Sequence, residues 1–194
     1  MGLADVLFGR RKLKQAKTEK LFALSTAQVT LEVELGLRHD GVAGVCFKAL
    51  SAGEFVRAEN EIQQLLEAVA SEAGSKVERK SDDYGFEWLI VRDADFEDLV
   101  ATVHLIASEL KSHGFDGQLW AAIFPFEGRG FDGDKRVYWI YGFKRGAFWP
   151  FVPKGGDGKE RDNAEELELK AKLEKELPVE EDLTRWFGIF DAPI

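Results

Sequence analysis

Residues Gly128–Gly133 match the G-x-G-x-x-G pattern of dinucleotide-binding proteins. In those proteins the glycines follow a strand and open a helix, so that amides at the helix N-terminus meet the pyrophosphate. Here strand-like sequence lies on both sides of the motif, and Asp132-Gly133 is a frequent hairpin turn. The motif is therefore interpreted as a hairpin, and no nucleotide cofactor is predicted.

The residues most able to hold a metal or act as a nucleophile are few and scattered: His39, His104, His113 and Cys46. None has a second His or Cys at the spacing that zinc sites use, so no metal site is predicted. Cys46 lies in an apolar run and is interpreted as a small core residue. A single cysteine also excludes a disulfide framework.

Two groups of carboxylates, Asp82-Asp83 and Asp93 with Asp95, are close enough in sequence for general acid–base catalysis. The same residue types are typical of turns and helix caps, and this second interpretation is favoured. No catalytic residue is predicted, and the chain is expected not to be an enzyme.

The most unusual stretch is residues 141–153, where aromatic and basic side chains crowd around a tight turn. It is either a hairpin that packs its rings on a sheet or an exposed aromatic–arginine surface that anchors a protein partner. Residues 161–163 and Trp186 would extend such a surface, although capping and core packing also account for them. The predicted partner-binding residues are Lys144, Arg145, Phe148, Trp149, Phe151, Arg161, Asp162, Asn163 and Trp186.

The charge is distributed unevenly along the chain. The whole chain carries a net charge of −9, but residues 1–20 hold six basic and two acidic side chains, which leaves −13 for the remainder. An acidic body disfavours nucleic-acid binding, whereas a short basic arm favours an anionic membrane or an acidic partner. The predicted contact residues in this arm are Leu3, Leu7, Phe8, Arg10, Arg11, Lys12 and Lys14.

Hydrophobic periodicity predicts a single α+β domain over 25–194, preceded by a basic and mobile arm at 1–24. Strands are predicted at 42–47, 76–80, 86–91, 119–124, 136–143 and 147–151. Helices are predicted at 25–35 (with a strand as the alternative), 52–71, 96–113 and 163–177. This order contains the β-α-β-β-α-β pattern, so we expect a mainly antiparallel sheet of about six strands with helices on one face.

A set of short segments spread over nearly the whole chain resembles the family of the PspA-associated protein PspAB. These segments are the opening residues 1–10, then 21–24, 29–32, 44–48, 84–89, 144–151, 161–163 and 185–187. The resemblance implies an accessory of the phage-shock, or envelope-stress, system. It also implies association with PspA, a helical protein that assembles on stressed membranes, and with an HtpX-like membrane protease in some relatives.

The expected function is therefore that of a non-enzymatic adaptor, in the cytoplasm or at the inner face of the membrane. Two other classes of function remain open. One is a small-ligand-binding protein or an enzyme with an acidic–aromatic pocket. The other is a chaperone-like domain for a membrane or secreted client.

Overall fold

The computed structural model describes residues 16–48, 64, 68, 74–130, 133–155 and 159–194. The described strands are β1 (Arg38–His39), β2 (Val42–Lys48), β3 (Lys76–Ser81), β4 (Phe86–Arg92), β5 (Leu119–Gly130), β6 (Gly133–Gly142) and β7 (Ala147–Phe151). The described α-helices are α1 (Ala23–Thr26), α2 (Phe96–Ser112) and α3 (Asn163–Leu173). Short 3₁₀-helices lie at Glu19–Phe22 and Leu183–Arg185, and a π-helix lies at Thr30–Glu34.

The seven strands form one antiparallel sheet in the order β3-β4-β2-β5-β6-β7, and β1 pairs with β5 beside β2. Strands β2 to β5 have the order of a split β-α-β-β-α-β unit, which confirms the predicted fold class. The predicted helix at 52–71 lies outside the described residues except Gln64 and Ala68, both of which are helical.

Strands β5 and β6 form a long hairpin through the glycine-rich motif. Their register runs from Ala121 paired with Gly142 to Gly130 paired with Gly133. The motif therefore joins two antiparallel strands and does not open a helix, which confirms the predicted hairpin. Both strands extend further towards this turn than the sequence pattern predicted.

The sheet has a core on each face. In β4, Leu89 and Val91 pack in the core beneath the helices, whereas Trp88 and Ile90 pack on the opposite face. Because alternate residues of a strand point to opposite faces, a strand buried on both sides reads as a continuous apolar run. The second face is covered by the C-terminal segment 186–194, which contributes Trp186, Phe187, Ile189, Phe190, Ala192 and Ile194.

Helix α2 covers the first face of the sheet, and carboxylates at its start fix the junction with β4. Asp95 caps it by accepting hydrogen bonds from the backbone N–H groups of Glu97 (2.9 Å) and Asp98 (3.1 Å). Asp93 accepts a hydrogen bond from the Ser75 hydroxyl (2.6 Å) and thereby connects the start of β3 to the end of β4. These carboxylates therefore have the cap and turn roles that the sequence favoured.

The N-terminal described residues pack against the domain. Ala16, Leu21 and Leu24 are fully buried in the helix-covered core, and the Lys17 N–H donates to the Phe143 carbonyl oxygen (2.8 Å).

The helix predicted for 25–35 corresponds to the end of α1 and the π-helix Thr30–Glu34. Among the described residues, no helix has both the length and the apolar character that a membrane span requires.

Candidate functional site

The aromatic members of the predicted partner surface lie in the interior of the domain. Phe148 and Phe151 have no exposed area, and Trp149 and Trp186 are only 3% and 8% exposed. The Trp149 indole donates to the Phe187 carbonyl oxygen (3.1 Å), so that the C-terminal segment covers this ring. The structure therefore places Phe148, Trp149 and Phe151 in hairpin packing, the first of the two interpretations, and Trp186 in the core. These rings are not available as surface anchors.

Arg161 connects three parts of the chain. Its Nε and Nη2 donate to the two carboxylate oxygens of Glu166 (3.0 and 2.9 Å), and its Nη1 donates to the Trp186 carbonyl oxygen (2.6 Å). The Glu166 side chain is 3% exposed and also accepts the Val152 N–H (2.9 Å). This bidentate pair therefore holds helix α3 and the C-terminal segment against the end of β7.

The two residues that follow Arg161 begin helix α3. Asp162 caps the helix by accepting the Glu165 N–H (3.1 Å), and Asn163 is exposed at the first helical position. Among the described residues, no hydrogen bond or ion pair connects the side chain of Asp162 or Asn163 to the turn between β6 and β7. The structure thus shows a capping role for Asp162 and leaves the predicted partner contact of both residues a prediction.

The turn between β6 and β7 does expose basic side chains. Lys144 and Arg145 are exposed, and Arg145 and Arg185 each lie 3.7 Å from a carboxylate oxygen of Glu180. On the other side of the turn Gly146 lies against Lys17: a Cβ at Gly146 would stand 2.8 Å from Lys17 Cδ. We call Lys17, Lys144, Arg145 and Arg185 the basic surface.

The predicted membrane or acidic-partner contacts lie outside the described residues. These are Leu3, Leu7, Phe8, Arg10, Arg11, Lys12 and Lys14. Lys14 precedes Lys17, a member of the basic surface, by three residues in the sequence. The predicted basic arm therefore joins the domain at the one predicted partner turn that is exposed.

A charged cleft of about 780 Å³ lies between the π-helix and the β5–β6 hairpin. Arg136 lies along it, with Nη2 2.8 Å from Asp40 Oδ2 and its guanidinium 5.4 Å from the centre of the Tyr138 ring. Burial raises the pKa of Asp40, and the Arg136 cation opposes that rise. Lys135 pairs with Glu165. Most of the charges here are neutralised within the protein, and a specific ligand is not indicated.

A smaller cavity of about 240 Å³ lies beneath the C-terminal segment. An acidic–aromatic pocket is one of the alternatives that the sequence leaves open, but the sequence assigns no residues to it. Its walls come from β4, β5 and residues 188–191, and they include Trp88, Trp120 and Phe190. No periodic pattern marks the C-terminal segment, so its position on the sheet could not be derived locally. The only sequence signal was its high content of aromatic and apolar residues.

The histidines and the cysteine occupy separate places. His104 lies on α2 against the Phe22 ring (4.6 Å between centroids), His39 lies against Phe96, and burial raises the pKa of the Cys46 thiol. Within the described part of the chain, no group of three or more potential ligands could hold a metal ion.

His104 is expected to make stability fall on the acid side of neutrality. Burial lowers the pKa of His104 below its ordinary value of 6.5, and the Glu19 carboxylate opposes this shift. Between the two pKa values the unfolded chain binds more protons, so the free energy of unfolding decreases as the pH falls through 6.5.

Urea unfolding of the native chain, His104→Gln and His104→Phe at several pH values tests this effect. In both variants the free energy of unfolding should depend less on pH, because neither Gln nor Phe titrates in this range. An unchanged slope in both variants would assign the acid sensitivity to other groups.

Comparison with known proteins gives the context for these surfaces. Neither the curated proteins nor the solved structures gave a match to this chain. The family model PspAB, described as PspA associated protein B, matches residues 1–194. Since this match spans the whole chain, the protein belongs to the PspAB family.

Proposed function

We propose that this protein is an accessory of the PspA-type envelope-stress response that acts by binding a PspA-like protein directly. The family description, which names association with PspA, supports this proposal. The proposed role is binding, and it assigns no catalytic step to any residue. PspA-like protein is the first partner to test, and an HtpX-like membrane protease is the second.

The proposed contact is the basic surface, and its exposure is the observation that carries the proposal. Lys17, Lys144 and Arg145 are exposed on a protein with a net charge of −9. Lys17 and Lys144 have no ion-pair partner among the described residues, so their charges are available to a partner. A local excess of positive charge on an acidic protein favours an acidic protein surface and speeds the encounter with it.

The basic arm extends this contact in the proposal. Arg10, Arg11, Lys12 and Lys14 add four cations within a short stretch of chain before Lys17. Leu3, Leu7 and Phe8 precede them and would provide apolar contacts to the partner or to the membrane surface on which PspA-like proteins are expected to assemble. A single cation beside an anionic membrane contributes about 1 kcal/mol, so an arm with several cations gives appreciable attraction.

Charge reversal tests the proposed surface. The double variant Lys144→Glu, Arg145→Glu should weaken binding to purified PspA-like protein by about tenfold or more, as expected when two favourable charges become repulsive. Lys48→Glu, Lys76→Glu is the matched control, because these exposed lysines lie on β2 and β3, separated from β7 by β5 and β6. The control should bind as the native chain does, and higher salt should weaken native binding.

Equal binding by the native chain and the charge-reversed variant, both with unchanged thermal stability, would exclude the basic surface. Loss of binding in the control as well would indicate a general charge effect. Binding of the native chain to anionic vesicles without PspA, together with no binding to PspA itself, would replace the adaptor proposal by a membrane-surface role.

A further inference from the structure

The cavity beneath the C-terminal segment combines an aromatic lining with charged groups at its edge. Its rings belong to Tyr84, Phe86, Trp88, Trp120 and Phe190. Phe86 and Trp120 stack across neighbouring parts of the wall, with centroids 4.9 Å apart. At about 240 Å³ the cavity is smaller than most drug-binding sites and equals the volume of about eight water molecules. It therefore suits a small molecule with an apolar or aromatic body.

The charges at this cavity are Asp82, Asp191 and Lys159, which give an excess of one negative charge. Lys159 Nζ lies 2.5 Å from Asp191 Oδ2 and 3.4 Å from the Tyr84 hydroxyl. The Tyr84 hydroxyl in turn donates to Asp191 Oδ2 (2.9 Å). An ammonium group of the protein itself is thus held at the edge of the aromatic cavity by a carboxylate.

The carboxylates of Asp82 and Asp191 at the cavity can accept further hydrogen bonds. Asp82 accepts the backbone N–H groups of Tyr84 and Phe86 through Oδ1 and the Trp88 indole N–H through Oδ2. Asp191 accepts both of its hydrogen bonds through Oδ2, and within the described residues its Oδ1 accepts none. Since a carboxylate oxygen has room for about two hydrogen bonds, Asp191 Oδ1 is open to a further donor.

We propose that this cavity binds a small organic amine, whose apolar or aromatic body lies among the rings and whose ammonium group donates to Asp191. The net negative charge and the open carboxylate oxygen favour a cation over an anion. Lys159 competes for the same carboxylate, so it limits the affinity for the amine. This site shares no residue with the basic surface, and the proposal does not require the binding of PspA.

Indole N–H resonances of the tryptophans can report binding at this site. The probe is phenethylamine, and phenylacetate is the matched control because it joins a phenyl ring to an anion. The amine should shift the resonances of Trp88 and Trp120, which line the cavity. Trp139, fully buried in the core on the helix-covered face, should not shift.

Two exposed substitutions give opposite expected effects on the affinity for phenethylamine. Asp191→Asn should weaken binding by about fivefold, and Lys159→Met should tighten it by about two- to fivefold, the range for an exposed charge pair. Both side chains are at least half exposed, so both variants should remain folded. Absence of shifts at Trp88 and Trp120, preference for phenylacetate, or weaker amine binding by Lys159→Met would each overturn the proposal.

Discussion

Arg161→Met is expected to lower the free energy of unfolding by about 3–5 kcal/mol, the cost of breaking a buried ion pair from one side. The substitution leaves the Glu166 carboxylate, whose side chain is 3% exposed, without its bidentate partner. It also removes the hydrogen bond to the Trp186 carbonyl oxygen and so loosens the C-terminal segment. Urea unfolding followed by tryptophan fluorescence measures the loss.

Two further variants separate the buried pair from the effect of losing a surface charge. The double variant Arg161→Met, Glu166→Leu removes both charges and should recover a large part of the loss, since no unpaired buried charge remains. Lys170→Met breaks a pair with Glu181, a side chain that is 79% exposed, and should cost less than about 1 kcal/mol. A loss below about 1 kcal/mol for Arg161→Met would contradict a structural role for this pair.

Phe148→Ala is the second large effect, with an expected loss of about 3–5 kcal/mol in the free energy of unfolding. Phe148 has no exposed area, and its ring packs against Tyr141 with centroids 4.7 Å apart. Removal of the ring would leave a cavity in the helix-covered core beside the turn that carries Lys144 and Arg145. Thermal and urea unfolding of the variant measure this loss.

Arg145→Glu is the matched control for Phe148→Ala, because the two residues belong to the same hairpin. The Arg145 side chain is 43% exposed, so its reversal should change stability by less than about 0.5–1 kcal/mol while it weakens partner binding. Weaker binding by Phe148→Ala is therefore attributed to partial unfolding. Equal stability losses in the two variants would contradict this division between core and surface.

Residues 76–124 show which parts of the fold local patterns can predict. The predicted strands 76–80 and 86–91 correspond to β3 and β4, and the predicted helix after Asp95 corresponds to α2. β3 alternates, α2 repeats with a helical period, and β4 is a short apolar run. All three are bounded by turn and cap residues, so each is determined mainly by its own sequence. Their order also predicted the split β-α-β-β-α-β unit.

Pairing between strands explains why the local sequence pattern did not predict the full length of β5. β5 was expected to end at 124 but continues to Gly130, through Pro125 and Gly128, residue types that disfavour strands. The antiparallel partner β6 supplies the hydrogen bonds along this length, and Pro125 is paired with Tyr138. Because β6 follows in the chain, the extent of β5 depends on contacts that its own residues do not reveal.

The candidate sites depended even more on distant contacts. The rings of Phe148, Trp149 and Phe151 suited both a buried hairpin and an exposed interface until the positions of their neighbours were known. Trp149 is covered by Phe187, a residue 38 positions later in the chain. The exposed Lys144 and Arg145 and the adjoining basic arm are the parts of the predicted surface that continue as a proposal.

Site-specific photo-crosslinking in the cells that make this protein tests the proposed PspA contact most directly. A photoreactive amino acid would be placed at position 144 in the basic surface and, as the control, at position 76 on β3. The account predicts a crosslink to the PspA-like protein from position 144 under envelope stress and none from position 76. A crosslink from position 76 alone, or none to a PspA-like protein from position 144 with the protein folded and expressed, would contradict it.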